Sequence, residues 1–176
     1  MKRKSNLALV LALMLSFGFY QHMFGQTFTE VPQTFAATYY GAAVWADYDR
    51  DGNLDFFVNG WRSTGGTTSA PSAYLYRNNG NGSFSEVATG ILPLGACSAA
   101  WGDLNNDGYP DLCIAGNSGN SIYATKVYKN NGNGSFTDIG GSFTPVITPV
   151  IAWSDLNNDG FQDLTIMGGD NTSAGQ

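Results

Sequence analysis

Apolar and polar positions come in short alternating blocks along most of this chain, and the blocks set its predicted elements. Runs rich in β-branched, aromatic and small residues are each closed by glycine, asparagine or aspartate, the pattern of strands separated by tight turns. They predict strands near Gly41–Ala46, Leu54–Asn59, Ala73–Asn78 and Ser83–Ala88, and again near Ala96–Gly102, Asp111–Ala115, Ile122–Asn130 and Ser135–Ile139. A final pair is predicted near Thr148–Ser154 and Asp163–Met167. The expected class is all-β.

The turns repeat more closely than the strands. WADYDRDGNLD, Trp45 to Asp55, returns as WGDLNNDGYPD from Trp101 and WSDLNNDGFQD from Trp153, at spacings of 56 and 52 residues. Counting from the first acid, loop positions 1, 3, 5 and 9 carry oxygen: Asp47, Asp49, Asp51 and Asp55; Asp103, Asn105, Asp107 and Asp111; Asp155, Asn157, Asp159 and Asp163. Position 6 is glycine each time (Gly52, Gly108, Gly160), where a chain wrapping a cation turns sharply. Position 7 varies (Asn53, Tyr109, Phe161), as it can if only its carbonyl is a ligand. Hard oxygens on a flexible loop suit calcium, whereas magnesium gives up its water reluctantly. An EF-hand is excluded, because it needs a bidentate Glu at position 12 and flanking helices. Here position 12 is Val58, Ile114 or Ile166, and a short β-type run follows. The loops therefore join strands.

A second motif keeps step with the first. YLYRNNGNGSF, Tyr74 to Phe84, matches KVYKNNGNGSF, Lys126 to Phe136. Asn-Gly between β-type residues is a strong hairpin signal, and it accounts for the sequons at Asn81 and Asn133 as turn chemistry. Each period then holds four antiparallel strands in about 50 residues, the signature of a propeller blade. Small residues beside each Trp (Ala43, Ala99, Ala152) suit an innermost strand. Thr27–Val31 matches Ser83–Val87 and Ser135–Ile139, so the chain opens on a fourth, outer strand. The four extra residues of the first period fall in the connection within Trp61–Ser72.

These loops, this period and the NNGNGSF turn resemble the FG-GAP or VCBS repeats of integrin-α-like β-propellers, over about residues 28 to 169. The resemblance implies a propeller ring with structural calcium on one face and ligand loops on the other. It implies a secreted or cell-surface module for adhesion or recognition, binding a glycan or a protein. An alternative is the non-catalytic propeller portion of an extracellular polysaccharide-acting enzyme. About two and a half blades are present, so further blades are expected in cis or in trans, by continuation of the chain or by assembly of copies.

Composition narrows the rest. Lys2, Arg3 and Lys4 precede an apolar run from Leu7 to Tyr20, too short to span a bilayer comfortably, so residues 1–25 are expected to be a signal peptide and 26–176 the repeat region. Without that segment, five Lys and Arg face 14 Asp and Glu, a net charge of −9. Ten of those acids are loop positions, so three calcium ions would bring the charge to −3; nucleic-acid binding, which needs a basic face, is not expected. The single histidine, His22, lies in the leader, which removes the usual general base from the mature chain. Outside the loops, Glu30, Glu86 and Asp138 share one repeated strand position, leaving Asp170 without an acid–base partner, so no enzyme activity is expected. If Asp103–Asp111 is a hairpin bend, residues whose numbers sum to 214 oppose each other. Cys97 then faces Asn117, four rungs from Cys113 and too far for a disulfide. Four carboxylates in the first loop predict the tightest of the three sites, offset in part by Arg50. Trp61, Arg62 and Tyr123 are the candidates for ligand contact, by stacking and by charge. The competing role for Trp61 is to cover a strand end against the next blade.

Overall fold

Each acidic loop is the bend of a β-hairpin, and the sheets are built outward from these bends. The computed structural model describes residues 35–65 and 68–170. The expected signal peptide and the strand Thr27–Val31 lie outside these residues. Ten strands are described: β1 (Tyr39–Ala46), β2 (Asp55–Gly65), β3 (Thr68–Asn78), β4 (Phe84–Val87), β5 (Gly95–Gly102), β6 (Asp111–Asn117), β7 (Tyr123–Asn130), β8 (Phe136–Asp138), β9 (Val146–Ser154) and β10 (Asp163–Asp170). They form two four-stranded antiparallel sheets, β1-β2-β3-β4 and β5-β6-β7-β8, and a pair β9-β10. These are two blades and the inner half of a third. The strands β1, β5 and β9 lie against one another in that order, which makes them the inner strands, as their small side chains require.

Two details differ from the sequence reading. Ala99 pairs with Ile114 and Trp101 with Leu112, so the numbers sum to 213; a bulge then separates Gly95–Asn117 from Ser98–Ala115. Cys97 sits in that bulge instead of opposing Asn117, and it rests on Gly116, where an added Cβ would come within 2.5 Å of the Cys97 Cβ. Both cysteines are free. The bulge recurs: Tyr40, Ala96 and Thr148, at equivalent places in β1, β5 and β9, all have φ near +45° (48°, 45° and 48°). A left-handed residue inserted in a strand shifts the pairing by one, which simple reflection across the bend cannot anticipate. The second difference is in the connection Trp61–Ser72, where residues 61–65 and 68–72 are strand. β2 and β3 continue as a ladder from Trp61–Pro71 to Gly65–Thr68, closed by a Thr64–Thr68 hydroxyl bond of 2.8 Å. Threonine and serine pairs favour a pleated ladder, so the extra residues lengthen the hairpin.

The blades pack face to face. Between the first and second lie Phe57 and Leu75 from one sheet and Leu112, Ile114 and Tyr128 from the other, with Ile91 and Leu94 of the connecting segment sealing the edge. Between the second and third lie Cys113, Ala115, Val127, Val146 and Ile151. β6 faces a neighbour on both sides, which is why Leu112–Ala115 reads as an unbroken apolar run instead of an alternating one. A repeated bond fixes the stacking: Trp101 Nε1 donates to the Val44 carbonyl and Trp153 Nε1 to the Ala100 carbonyl, both at 3.2 Å. The connecting segments repeat as well. Ala36 N–H donates to Tyr76 Oη (3.1 Å) and Leu92 N–H to Tyr128 Oη (3.0 Å).

Candidate metal centre

The backbone of all three loops wraps its first acid in the same way. In the first loop Asp47 accepts the N–H of Asp51 (3.0 Å) on one oxygen and that of Gly52 (2.9 Å) on the other. Asp103 does the same for Asp107 and Gly108, and Asp155 for Asp159 and Gly160. The wrap requires left-handed backbone at positions 4 and 6. Arg50, Asn106 and Asn158 have φ of 61°, 57° and 58°, and Gly52, Gly108 and Gly160 have 88°, 83° and 88°. At φ near 88° a side chain is strained even in open space, which explains glycine at position 6.

Position 5 ties the loop's second half. Asp51, Asp107 and Asp159 accept the N–H of Asn53, Tyr109 and Phe161 at 2.8–2.9 Å. That bond holds the Asp51 and Asp107 carboxyls below the ordinary carboxylate value. In the second and third loops the position-3 amides of Asn105 and Asn157 bridge to the position-5 carboxylates at 2.9 Å. In the first loop a different group does this. The Arg77 guanidinium spans Asp49 (2.6 Å) and Asp51 (2.9 Å).

Position 9 is buried in the first two loops and half-buried in the third. Asp55 and Asp111 are each 0% exposed, and each carboxylate accepts two backbone N–H groups. Asp55 takes those of Tyr48 (3.2 Å) and Asn78 (2.7 Å); Asp111 takes those of Leu104 (2.8 Å) and Asn130 (2.7 Å). Asp163 takes that of Leu156. Burial pushes the Asp55 and Asp111 carboxyls above the ordinary value, because the low-dielectric surroundings disfavour the charge more than the N–H donors support it. A divalent cation beside them would reverse that balance.

The first loop brings Asp47, Asp49 and Asp55 together with one carboxylate oxygen apiece, all within 4.8 Å of one another. Three convergent hard oxygens fit a divalent cation of the calcium type, with Asp51 and the Asn53 carbonyl as the remaining members the spacing supplies. Position 7 also does more than its variability suggests. Asn53 lies against Gly80 and Tyr109 against Gly132, so each side chain covers the glycine of its blade's NNGNG turn; Phe161, in the half blade, is 54% exposed.

Several functional neighbours escaped the sequence reading. Arg77 is one, and its counterpart Lys129 approaches Asp107 at 3.8 Å. Both stand immediately before the NNGNG turn, so the repeat offset alone marks a basic residue at that place. Arg50 acts beyond its own loop. It reaches the second, donating to the Asp107 carbonyl at 3.5 Å with its guanidinium 5.1 Å from the Tyr109 ring centre. Asn106 likewise donates to the Gly160 carbonyl (2.6 Å), and Gln162 accepts the N–H of Asp103 (2.7 Å). The three loops are therefore linked in series.

The ligand-contact candidates are not brought together. The Trp61 indole lies on Gly95 at the start of β5, so it covers the strand end of the next blade. Tyr123 is a half-buried residue of β7 paired with Asn117. Arg62 is exposed and donates to Tyr74 Oη at 2.8 Å. With Phe35, Tyr76 and Glu86 it lines a cleft of about 490 Å³.

The FG-GAP-like repeat family model matches residues 63–114 and again residues 103–166. No curated protein and no solved structure matches the chain.

Proposed function

The chain belongs to the FG-GAP-like repeat family, and on that premise we propose that it is a calcium-clamped recognition module of an exported protein. The observation that carries the reading is the convergence of the Asp47, Asp49 and Asp55 oxygens in a loop whose backbone wrap recurs twice. Each loop would hold one calcium ion through positions 1, 3, 5 and 9 and the carbonyl at position 7. The ion would supply charge neutralisation where three or four acids share one turn. Residues 1–25 would direct export, after which extracellular calcium keeps weak sites filled, since modules of this kind bind at about 0.1–1 mM.

Recognition, of a glycan or a protein, fits the residues outside the loops better than catalysis. Glu86 and Asp138 sit on the outer strands β4 and β8, and Asp138 is paired with Lys126 at 2.8 Å. The Arg62 cleft offers a guanidinium, two tyrosines and the Glu86 carboxylate around a phenylalanine, a polar rim on an aromatic floor.

Calorimetry on calcium-stripped protein tests the metal reading. Three ions are expected, and Asp51→Ala, Asp107→Ala and Asp159→Ala should each remove one. At about 10 mM calcium each site of this affinity stabilises the fold by about 1.4–2.7 kcal/mol. Folded protein that takes up no calcium would overturn it. For recognition, glycan-array or protein binding lost in Arg62→Ala is the expected result; product release from a polysaccharide would favour an enzymatic role.

A further inference from the structure

Asn-Gly bonds occur in this chain at Asn59, Asn79, Asn81, Asn131 and Asn133. In such a pair the glycine nitrogen can attack the side-chain amide of the asparagine before it, because no Cβ shields that nitrogen. The fold treats these bonds differently. Asn59 is held inside β2 and is 0% exposed, away from the water the reaction consumes. At Asn79 and Asn131 the attacking group is engaged: Gly80 N–H donates to Asn78 Oδ1 (3.0 Å), and Gly132 N–H to Asn130 Oδ1 (2.9 Å). The leaving amide is engaged as well. Asn79 Nδ2 donates to Ser83 Oγ (2.9 Å) and Ser85 Oγ (3.0 Å), and Asn131 Nδ2 to Ser135 Oγ (2.9 Å) and Thr137 Oγ1 (3.0 Å). Position 7 of the acidic loop closes over both glycines. A Cβ on Gly80 would lie 3.3 Å from Asn53 Nδ2, and one on Gly132 would lie 3.0 Å from the Tyr109 ring.

The next Asn-Gly bond in each turn has the opposite surroundings. The Gly82 and Gly134 N–H groups have no acceptor among the described residues, and nothing lies within 4 Å of a Cβ placed on either glycine. Asn81 and Asn133 are exposed, and neither Nδ2 donates to a described group. Their Oδ1 atoms each accept two bonds from the serine two residues on. Ser83 N–H and Oγ–H donate to Asn81 Oδ1 at 3.1 and 2.7 Å, and Ser135 N–H and Oγ–H to Asn133 Oδ1 at 3.0 and 2.7 Å. Those bonds draw electrons from Cγ, the atom under attack, and leave the amine end free to depart. We propose that Asn81 and Asn133 are paired sites of spontaneous modification, where the turn closes a succinimide ring while Asn79 and Asn131 are spared. The Gly82 or Gly134 nitrogen gives its proton to hydroxide and bonds to Cγ; the Cγ–Nδ2 bond breaks, and ammonia leaves with a proton taken back from water. Water then opens the ring at either carbonyl, giving aspartate or isoaspartate. The net change is one water taken up and one ammonia released, with nothing oxidised or reduced. The isoaspartate product runs the main chain through Cβ. It thereby adds a carbon inside a turn closed by the Asn79 N–H on the Ser83 carbonyl (2.9 Å) or the Asn131 N–H on the Ser135 carbonyl (3.0 Å).

The test incubates the full 176-residue chain, folded, in heavy-oxygen water at mildly alkaline pH. Digestion and electron-transfer mass spectrometry then locate each new acid and separate aspartate from isoaspartate. Conversion at Asn81 and Asn133, with heavy oxygen in the product, is expected to outrun that at Asn79 and Asn131 by about tenfold or more. That is the cost of freeing an engaged N–H together with an anchored amide. The same chain in denaturant is expected to lose this ranking. Asn78→Ala releases the Gly80 N–H and should raise conversion at Asn79 in folded protein by about threefold to tenfold, leaving Asn81 as in the wild type. Equal conversion at the four turn sites of the folded wild type, or faster conversion at Asn79 and Asn131, overturns the proposal. So does a folded protein inert at Asn81 and Asn133 when the denatured chain reacts there, or an Asn79 rate that Asn78→Ala leaves unmoved. A ranking that persists unchanged in denaturant overturns it too, since it would then belong to the local sequence instead of the turn.

Discussion

Asn130 offers the sharpest measure of what one blade contributes to the next, because its repeat partner Asn78 makes the same local bonds with no preceding blade among the described residues. Both side chains brace their own turns. Asn78 Nδ2 donates to the Leu54 carbonyl (3.1 Å) and its Oδ1 accepts the Gly80 N–H (3.0 Å); Asn130 makes the same pair with Pro110 (3.1 Å) and Gly132 (2.9 Å). Asn130 adds a bond across the blades, from Nδ2 to the Tyr48 carbonyl at 2.8 Å, and it is 1% exposed whereas Asn78 is half-buried. Alanine at position 78 loses bonds that water can partly replace, about 0.5–1.5 kcal/mol. Alanine at position 130 also strips a buried inter-blade carbonyl of its donor, so its cost should be about 2–4 kcal/mol. At about 2–4 °C per kcal/mol for a domain of this size, the two variants should differ by roughly 3–10 °C in Tm. Urea and thermal unfolding followed by tryptophan fluorescence, at one fixed calcium concentration, measures both. Equal losses in the two variants would refute the assignment of stability to the Asn130–Tyr48 bond.

Three further outcomes follow from particular side chains. Arg77→Gln should tighten calcium at the first loop, since the incoming ion no longer displaces a guanidinium from Asp49 and Asp51; Lys129→Gln should tighten the second loop less, its ammonium being 3.8 Å from Asp107, and site-resolved calorimetry compares them. Burial pushes the Cys97 and Cys113 thiols up to about 11 and about 12, so both stay protonated at pH 8 and iodoacetamide should label neither until the protein unfolds; rapid labelling of native protein would contradict this. Asp111→Asn sets an amide against two backbone N–H donors and should destabilise the calcium-stripped protein by about 1–3 kcal/mol, whereas Asp107→Asn should chiefly weaken calcium binding, a contrast that chelator melts resolve.

The repeat made most of this fold legible. The ten strands and their grouping followed from the spacing of Trp45, Trp101 and Trp153 and from the NNGNG turns, because turn chemistry and side-chain period are local properties. The bulge at Tyr40, Ala96 and Thr148 was not legible. Nothing in the residue types Tyr, Ala and Thr asks for a positive φ; it shows only in the one-residue shift of register between each inner strand and its partner. Trp61 was ambiguous for another reason. Its fate depends on Gly95, more than thirty residues away, leaving room for an indole. In the candidate site, the wrap of each loop was readable from its own glycine and acids. The links between loops were not, since Arg50 and Asn106 act on residues more than fifty positions distant. The basic residue before each NNGNG turn was available to inspection, but its meaning needed the β2–β3 pairing that brings Arg77 beside Asp49.

Those links change what the acidic loops do in this molecule. A position-9 aspartate that only held metal would need no backbone donors, yet Asp55 and Asp111 accept the N–H that begins the NNGNG turn as well as one from within the loop. The loop is thereby fastened to the third strand of its own blade. Through Arg50, Asn106 and Gln162 it is fastened to the loop of the next blade. An ion at this place would act on three connections at once: the hairpin bend, the outer half of the blade and the stacking of neighbours. The extended β2–β3 hairpin with Arg62 leaves the opposite end of the same strands, so its position depends on how rigidly these bends are held. Calcium would then matter to recognition without touching the ligand, by fixing the angle at which each blade presents its far end.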